Sequence, residues 1–363
     1  MFIGTAHAER NRARPFIFAG LPVAFFLRFT IYQGFLTAEN TTRKISVNNG
    51  TLAKFRRLPD NGKVLDIHTH STASDGSLAP SALIQAAAKR GLSTLALTDH
   101  DTVNGLEEAE KAAAAAGIRF IPGIELQILW NEESGGEFHL LGLGITRPSP
   151  GFTAAVETLA RRREERNLEI VGNINKAGIS VSYEEIKALA AGSEKRGASI
   201  GRPHFASFLV QRKIVKNREQ AFVRYLGKGK PFYMPKAGLE FEVAAAVIKE
   251  SGGIAVLAHP MSLYVAWGRL PALIENLKER GLDGIEAWHP TAKVSSCRRL
   301  EELGGKLDLL VTAGSDFHGE VRPDRKLGIT AGGKKIDASF LHEPLLKALP
   351  GIALPHSPAA IMS

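Results

Sequence analysis

Val64-Leu65-Asp66-Ile67-His68-Thr69-His70, a short apolar run ending in two histidines, is the stretch on which the reading of this chain turns. Residues two apart on a strand project to the same side, so His68 and His70 can converge on one cation. The pattern then recurs. Apolar runs at Val64–Ile67, Thr94–Leu97, Phe120–Ile124, Phe138–Ile145, Ile254–Ala258, Gly284–Trp288 and Leu309–Thr312 alternate with helix-like stretches. Such alternation predicts βαβ units and a parallel sheet, an α/β fold. Pro80–Arg90 and Glu107–Ala116 read as helices, each followed by a glycine stop, Gly91 and Gly117, with Pro80 placed for a first turn.

The alternation stops after Ile145 and resumes near Gly253. Between them Thr153–Ala177, Tyr183–Ala190, Phe205–Gln211 and Glu219–Leu226 read as helices, so residues 147–250 are expected to form a helical insertion within the sheet. Residues 63–146 and 251–348 carry the α/β body, and 349–363 read as a loose tail.

The chain has 363 residues and a formal charge of +9, which by itself suggests a nucleic-acid binder. The distribution weakens that inference. Residues 1–62 hold nine basic and three acidic side chains, leaving 37 basic and 34 acidic residues in the other 301, so the body carries only +3. We read residues 1–62 as a poorly ordered extension. The alternatives are a secretory signal, with Arg10, Arg12 and Arg14 before the apolar Pro15–Leu27, or a membrane anchor over residues 1–36. Arg28 inside the apolar stretch argues against the anchor, at a cost of roughly 2.5–3.5 kcal/mol. A cytoplasmic location is therefore expected. One cysteine, Cys297, excludes a disulfide framework and any cysteine-cluster metal site, and it reads as a packing residue.

Almost every apolar run adjoins a metal-ligand residue type. After His68 and His70 come Asp75 in Ser74-Asp75-Gly76, His100 in Thr98-Asp99-His100-Asp101, and Glu125 in Gly123-Ile124-Glu125. Then follow His139 at the start of the fourth run, His259 in Ala258-His259-Pro260, and Asp316 and His318 in Ser315-Asp316-Phe317-His318. In a parallel α/β barrel the strand ends meet at one face, so these nine side chains can assemble there. A single histidine at a strand end is most often a hydrogen-bonded structural residue. Nine ligand types in register with the strands are poorly explained by chance. They are too many for one ion and suit two or three divalent cations, with mixed imidazole and carboxylate donors favouring Zn, Mn or Fe. Such clusters activate water as hydroxide for in-line displacement.

An anionic substrate is implied. Arg202 and His204 in Gly201-Arg202-Pro203-His204, and Lys228, Lys230 and Lys236 in the insertion, are candidate clamps. The run Arg161–Arg166 could touch an RNA backbone, though such runs are usually helix faces with internal ion pairs. Glu286 and His289, at the sixth strand end, are candidates for supporting the ligands rather than joining them.

Taken in order, these motifs resemble those of the PHP (polymerase and histidinol phosphatase) superfamily over about residues 63–348, with all nine ligand positions filled. Within it, Gly201-Arg202-Pro203-His204-Phe205-Ala206 and Tyr225-Leu226-Gly227-Lys228-Gly229-Lys230-Pro231 are similar to the insertion of the YciV/TrpH-type phosphoesterases. The resemblance implies a distorted (β/α)7 TIM-like barrel with a helical, substrate-binding insertion domain. It implies hydrolysis of nucleotide phosphate esters: 3′,5′-bisphosphonucleotides, or short RNA degraded from the 5′ end. It assigns His68, His70, Glu125 and Asp316 to one ion, Glu125, His139 and His259 to a second, and Asp75, His100 and His318 to a third. His68, His70, Asp75 and Asp316 are the expected catalytic set, and Arg202, His204 and Lys236 the expected substrate contacts. No stable protein partner is implied. The rival readings are a small-metabolite phosphatase such as one for histidinol phosphate, and a non-catalytic module binding metal or nucleic acid.

Overall fold

The computed structural model describes residues 63–130, 136–191, 200–235 and 238–340. Residues 1–62, Lys236 and the tail expected at 349–363 lie outside the described residues.

Seven strands form one sheet in sequence order: β1 (Val64–Asp66), β2 (Leu92–Leu97), β3 (Arg119–Gln127), β4 (His139–Leu143), β5 (Ile254–Leu257), β6 (Gly284–Trp288) and β7 (Leu310–Ala313). Each overlaps an apolar run of the sequence. The ends nearly meet. Thr69 bridges Phe317 in parallel, and the His70 N–H donates to the Phe317 carbonyl at 2.9 Å, linking the end of β1 to the end of β7. The sheet is thus almost closed into a barrel. Strand interiors such as Leu65, Leu95, Leu97, Ile121, Val256 and Ile285 are fully or almost fully buried. Burying each such side chain contributes roughly 1.5–3 kcal/mol.

One expectation is corrected here. The sheet is not wholly parallel, because β4 runs antiparallel to both β3 and β5, while β1–β2–β3 and β5–β6–β7 are parallel. Parallel neighbours need a crossover of a dozen or more residues, usually a helix. Only residues 128–138 join β3 to β4, so the chain turns straight back. The reversal has a functional consequence. His139, the first residue of β4, lands at the face where the other strands end.

Helices α1 (Pro80–Lys89) and α2 (Leu106–Ala116) follow β1 and β2. Proline opens α1, and Gly117 at φ +67° closes α2 in the left-handed conformation that glycine adopts without penalty. Leu83, Ile84 and Ala87 of α1 and Ala109 and Ala113 of α2 pack with β2 in one buried cluster.

Between β4 and β5 lie α3 (Pro150–Lys176), α4 (Tyr183–Ala191), α5 (Arg202–Gln211), α6 (Arg218–Ala221), which continues into a wider π turn (Phe222–Leu226), and α7 (Phe241–Glu250). Ser149 caps α3 by accepting the Phe152 N–H at 3.1 Å. Ile170, Ile174, Ile186, Phe205, Phe208, Leu209, Leu226 and Phe232 form a core of their own, separate from that of the barrel. Helix α7 packs instead with the barrel core through Phe241, Ala244 and Ile248. Helices α8 (Leu270–Glu279) and α9 (Val294–Lys306) complete the βα units, and Cys297 of α9 is fully buried in the barrel core. Among the described residues no helix is long and apolar enough to cross a membrane.

Candidate metal centre

The loops at one end of the barrel bring all nine ligand-type side chains together. His68 and His70 follow β1, and their Nε2 atoms stand 3.1 Å apart. Glu125, 1% exposed near the end of β3, is central. Its Oε1 lies 2.9 Å from His139 Nδ1 and 2.9 Å from His259 Nε2, and its Oε2 lies 3.3 Å from the Nε2 atoms of His68 and His70 and 3.0 Å from His100 Nδ1. Asp316 Oδ1 is 3.1 Å from His70 Nε2 and 3.5 Å from His68 Nε2. On the outer side Asp75, about one-third exposed, lies 3.2 Å from His318 Nε2 and 3.9 Å from both His100 and His70.

Three overlapping groups have donor atoms close enough for shared ions. His68, His70, Glu125 and Asp316 form one, and His70, Asp75, His100 and His318 another; each set of donor atoms lies within 4.8 Å. His100, Glu125 and His139 meet the same spacing. His259 adjoins this third group, with its Nε2 3.3 Å from His139 Nδ1.

The donor chemistry fits cations. Four imidazoles have one nitrogen tied to a protein oxygen while the other turns into the cluster. His68 Nδ1 faces Glu286 Oε1 at 3.0 Å, His139 Nε2 faces Gln127 Oε1 at 2.9 Å, His259 Nδ1 faces Ser262 Oγ at 2.6 Å, and His318 Nδ1 faces the Asp316 carbonyl at 2.8 Å. Tying one nitrogen fixes the tautomer and leaves the inward nitrogen a lone pair for a metal. Three buried atoms in the same cluster, His70 Nδ1, Glu125 Oε2 and Asp316 Oδ1, have no hydrogen-bond partner. Buried polar atoms are normally paired, so unpaired metal-ligand atoms within such a cluster point to cations.

Electrostatics agree. Burial raises the carboxyl pKa of Glu125, but His100, His139 and His68 outweigh it and hold the group well below the carboxylate range. Burial likewise opposes ionisation of Asp316, and His68, His289 and His70 hold its pKa well below normal. Burial disfavours charge on His70, yet Asp316 and Glu125 push its pKa up to about 10. Burial dominates at His100 and pulls it down to about 3. Glu125 and Asp316 thus stay ionised despite their burial and favour positive charge beside them, held as a proton on His70 or supplied by a cation.

The strand ends are shaped for this convergence. His259 (φ +28°) and Asp316 (φ +50°) take positive backbone angles uncommon outside glycine, as does Asp101 (φ +53°) beside His100. Such positions cost of order 1–3 kcal/mol each and cluster at functional sites. Glu286 spans two of the elements: it meets His68 through Oε1, and its Oε2 accepts the His259 N–H at 2.8 Å. His289 Nε2 and the Arg325 guanidinium both contact Asp316 Oδ2.

Two acidic residues of the same motifs serve elsewhere. Asp66 accepts the Ser315 and Gly328 N–H groups at 2.9 and 2.7 Å, tying β1 to the segment after β7. Burial raises its pKa to about 6. Asp99 accepts from Ser71 N–H at 2.8 Å and from the Ser71 and Ser74 hydroxyls, holding the loop that carries Asp75. Gln127 carried no sequence signal, because its role depends on the reversed β4 that brings His139 beside it.

The insertion approaches the same end. Arg202 opens α5, lies 3.5 Å from Glu137 and stacks on Tyr233. The His204 ring accepts the Gly201 N–H through Nδ1 at 3.1 Å, closing the start of α5. The arginine run of α3 is not simply a solvated face. Arg161 pairs with Glu165, but Arg162 donates to the Gly238 carbonyl and Arg163 binds Asp101. Burial, with Arg163 and Arg202 nearby, lowers Arg166 to about 10. A cavity of about 500 Å³ opens over the centre, lined among others by Asp75, His100, Glu137, Pro203, Met261, Tyr264 and Arg322.

Comparison with known proteins follows the same lines. The PHP domain pattern matches residues 66–226. A 5′-3′ exoribonuclease of Haemophilus influenzae is 38% identical over 256 residues, 70% of this chain and 90% of that protein. A 3′,5′-nucleoside bisphosphate phosphatase of Chromobacterium violaceum is 33% identical over 266 residues, 73% of this chain and 91% of that protein. A solved structure from Bifidobacterium adolescentis, a proposed metal-dependent phosphoesterase, superposes with a TM-score of 0.67 at 27% identity, covering 80% of this chain and 97% of that one.

Proposed function

This chain belongs to the PHP domain family, and from that premise we propose that it is a metal-dependent phosphoesterase acting on nucleotides, as a 3′,5′-bisphosphonucleotide phosphatase, a 5′-3′ exoribonuclease on short RNA, or both. The convergence of nine ligand-type side chains at the floor of one cavity carries the reading. Two or three ions of the Mn, Zn or Fe type suit the donor set. His68, His70, Glu125 and Asp316 would hold one, Glu125, His139 and His259 a second, and Asp75, His100 and His318 a third. Bound divalent cations make water nucleophilic at neutral pH and offset charge on phosphoryl oxygens.

The chain's own residues do the rest. Glu286, Gln127, Ser262 and the Asp316 carbonyl orient four imidazoles. Arg202, steadied by Glu137 and Tyr233 at the rim, supplies a fixed cation for a substrate phosphate, with His204 and Lys236 proposed beside it. Residues 147–250 then act as the substrate-binding insertion, closing one wall of the cavity through Pro203. Nucleotide or RNA substrates are in keeping with the cytoplasmic location expected from the sequence.

Phosphate release from 3′,5′-bisphosphoadenosine and from a 5′-phosphorylated oligoribonucleotide, with Mn²⁺, tests the proposal. Release from either is expected, and its loss in Asp316→Ala. No release from a protein shown to contain metal overturns it.

A further inference from the structure

One stretch of the cavity wall is built differently from the metal-type floor. After His259 the chain makes a 3-10 turn, Pro260–Leu263, closed by Tyr264 at φ +53°. Leu263 is fully buried in the barrel core and Val265 packs against it, so the backbone is pinned on both sides of Tyr264. The tyrosine itself is 73% exposed, the most exposed of the large apolar side chains among the described residues. It lines the cavity with Met261 and Val321, and Val321 is also exposed at 36%. Left-handed backbone at a non-glycine residue is held only where the surroundings enforce it, and here it turns an aromatic ring outward at the cavity rim.

The charge on this wall is already used. Arg322 is held by Asp324 through two bonds, Nε to Oδ1 at 3.1 Å and Nη2 to Oδ2 at 3.0 Å, and Arg325 binds Asp316. Among the described residues the Tyr264 ring meets no other ring and no cation. Beside these paired arginines the wall offers a flat apolar face. A phosphate ester lying over the acidic centre would direct its organic portion to the rim.

We propose that Tyr264, with Met261 and Val321, forms a nucleobase subsite in which the ring stacks on the base of the substrate. This rests on the nucleotide reading above and deepens it. Stacking accepts any base because every base has a π face, so the subsite favours nucleotides over sugar phosphates without selecting among bases.

Equilibrium binding decides it separately from turnover. The full chain, loaded with Mn²⁺, is titrated with adenosine 5′-monophosphate and with ribose 5-phosphate. The nucleotide is expected to bind about tenfold more tightly than the sugar phosphate. That advantage should collapse toward unity in Tyr264→Ala and persist in Tyr264→Phe. Equal affinity of the two ligands for the unaltered chain, or an advantage that survives in Tyr264→Ala, overturns the subsite. A base-dependent affinity lost in Tyr264→Ala upholds the subsite even where phosphate release fails, and phosphate release with no base-dependent binding discards the subsite while keeping the phosphoesterase.

Discussion

Glu286→Gln is the sharpest probe of how the centre is held. Glu286 is 1% exposed and accepts two donors at once, His68 Nδ1–H at 3.0 Å and the His259 backbone N–H at 2.8 Å. Glutamine has the same shape but one acceptor oxygen and one NH₂ group. If the oxygen keeps the His259 N–H, the NH₂ group faces His68 Nδ1, which must become the acceptor. The His68 proton then moves to Nε2, the nitrogen that faces His70, Glu125 and Asp316. A protonated nitrogen cannot ligate a metal. If the oxygen turns to His68 instead, two N–H donors meet at His259, leaving one buried and unpaired at about 1–3 kcal/mol. Either arrangement weakens the site. Losing the partner of a metal-ligating histidine reduces metal affinity by roughly 10–100-fold, or about 1.4–2.8 kcal/mol. Calorimetric titration of the metal-free chain with Mn²⁺ measures this directly. A parallel Mn²⁺ dependence of phosphate release should shift to higher metal, with turnover recovering toward wild type at saturation. An unchanged Mn²⁺ affinity in a folded Glu286→Gln protein would refute the reasoning, since it would show that the His68 tautomer does not depend on this carboxylate.

His68→Ala removes a donor from the innermost group and should lower phosphate release on the order of a thousandfold, with the metal content by mass spectrometry falling in step. Gly314→Ala places a Cβ 2.3 Å from His68 Cβ and 2.5 Å from Glu286 Oε1, so the variant should lose about 1–3 kcal/mol in urea unfolding and bind Mn²⁺ more weakly. Phe208→Ala, at a fully buried position in the separate core of the insertion, should cost about 3–5 kcal/mol in the unfolding of that segment, read by hydrogen exchange. Mn²⁺ at a hundredfold excess over its Kd should raise Tm by roughly 3–5 °C and a chelator should reverse the shift, because ligation stabilises the folded chain by about 2.7 kcal/mol.

Much of this was legible in the sequence. Seven apolar runs correspond to the seven strands, Gly91 and Gly117 mark the ends of α1 and α2, and ligand-type residues adjoin the strands. Those features are local: strand burial, helix termination and residue chemistry act within a few positions of the chain. The helical period between residues 147 and 250 is local too, but it does not show that Phe152, Leu159 and Phe241 pack into the barrel core.

Other features are decided by contacts between distant residues. The direction of β4 depends on how the chain packs after residue 127, and that reversal alone brings His139 to the common face and makes Gln127 its partner. Asp66 and Asp99 stand in the same motifs as the ligand-type residues, yet N–H and O–H donors from segments after β7 and β1 turn them into braces. Arg163 belongs to a run that resembles a solvated helix face until the barrel presents Asp101 to it. Most of all, an imidazole has two nitrogens, and composition says nothing about which one faces inward. The sequence by itself determined which residue types arrive at the barrel mouth, because strand periodicity and residue chemistry are written along the chain. Only the tertiary structure decided which atom each presents, because a tautomer is set by the hydrogen-bond partner that folding brings to the other side of the ring.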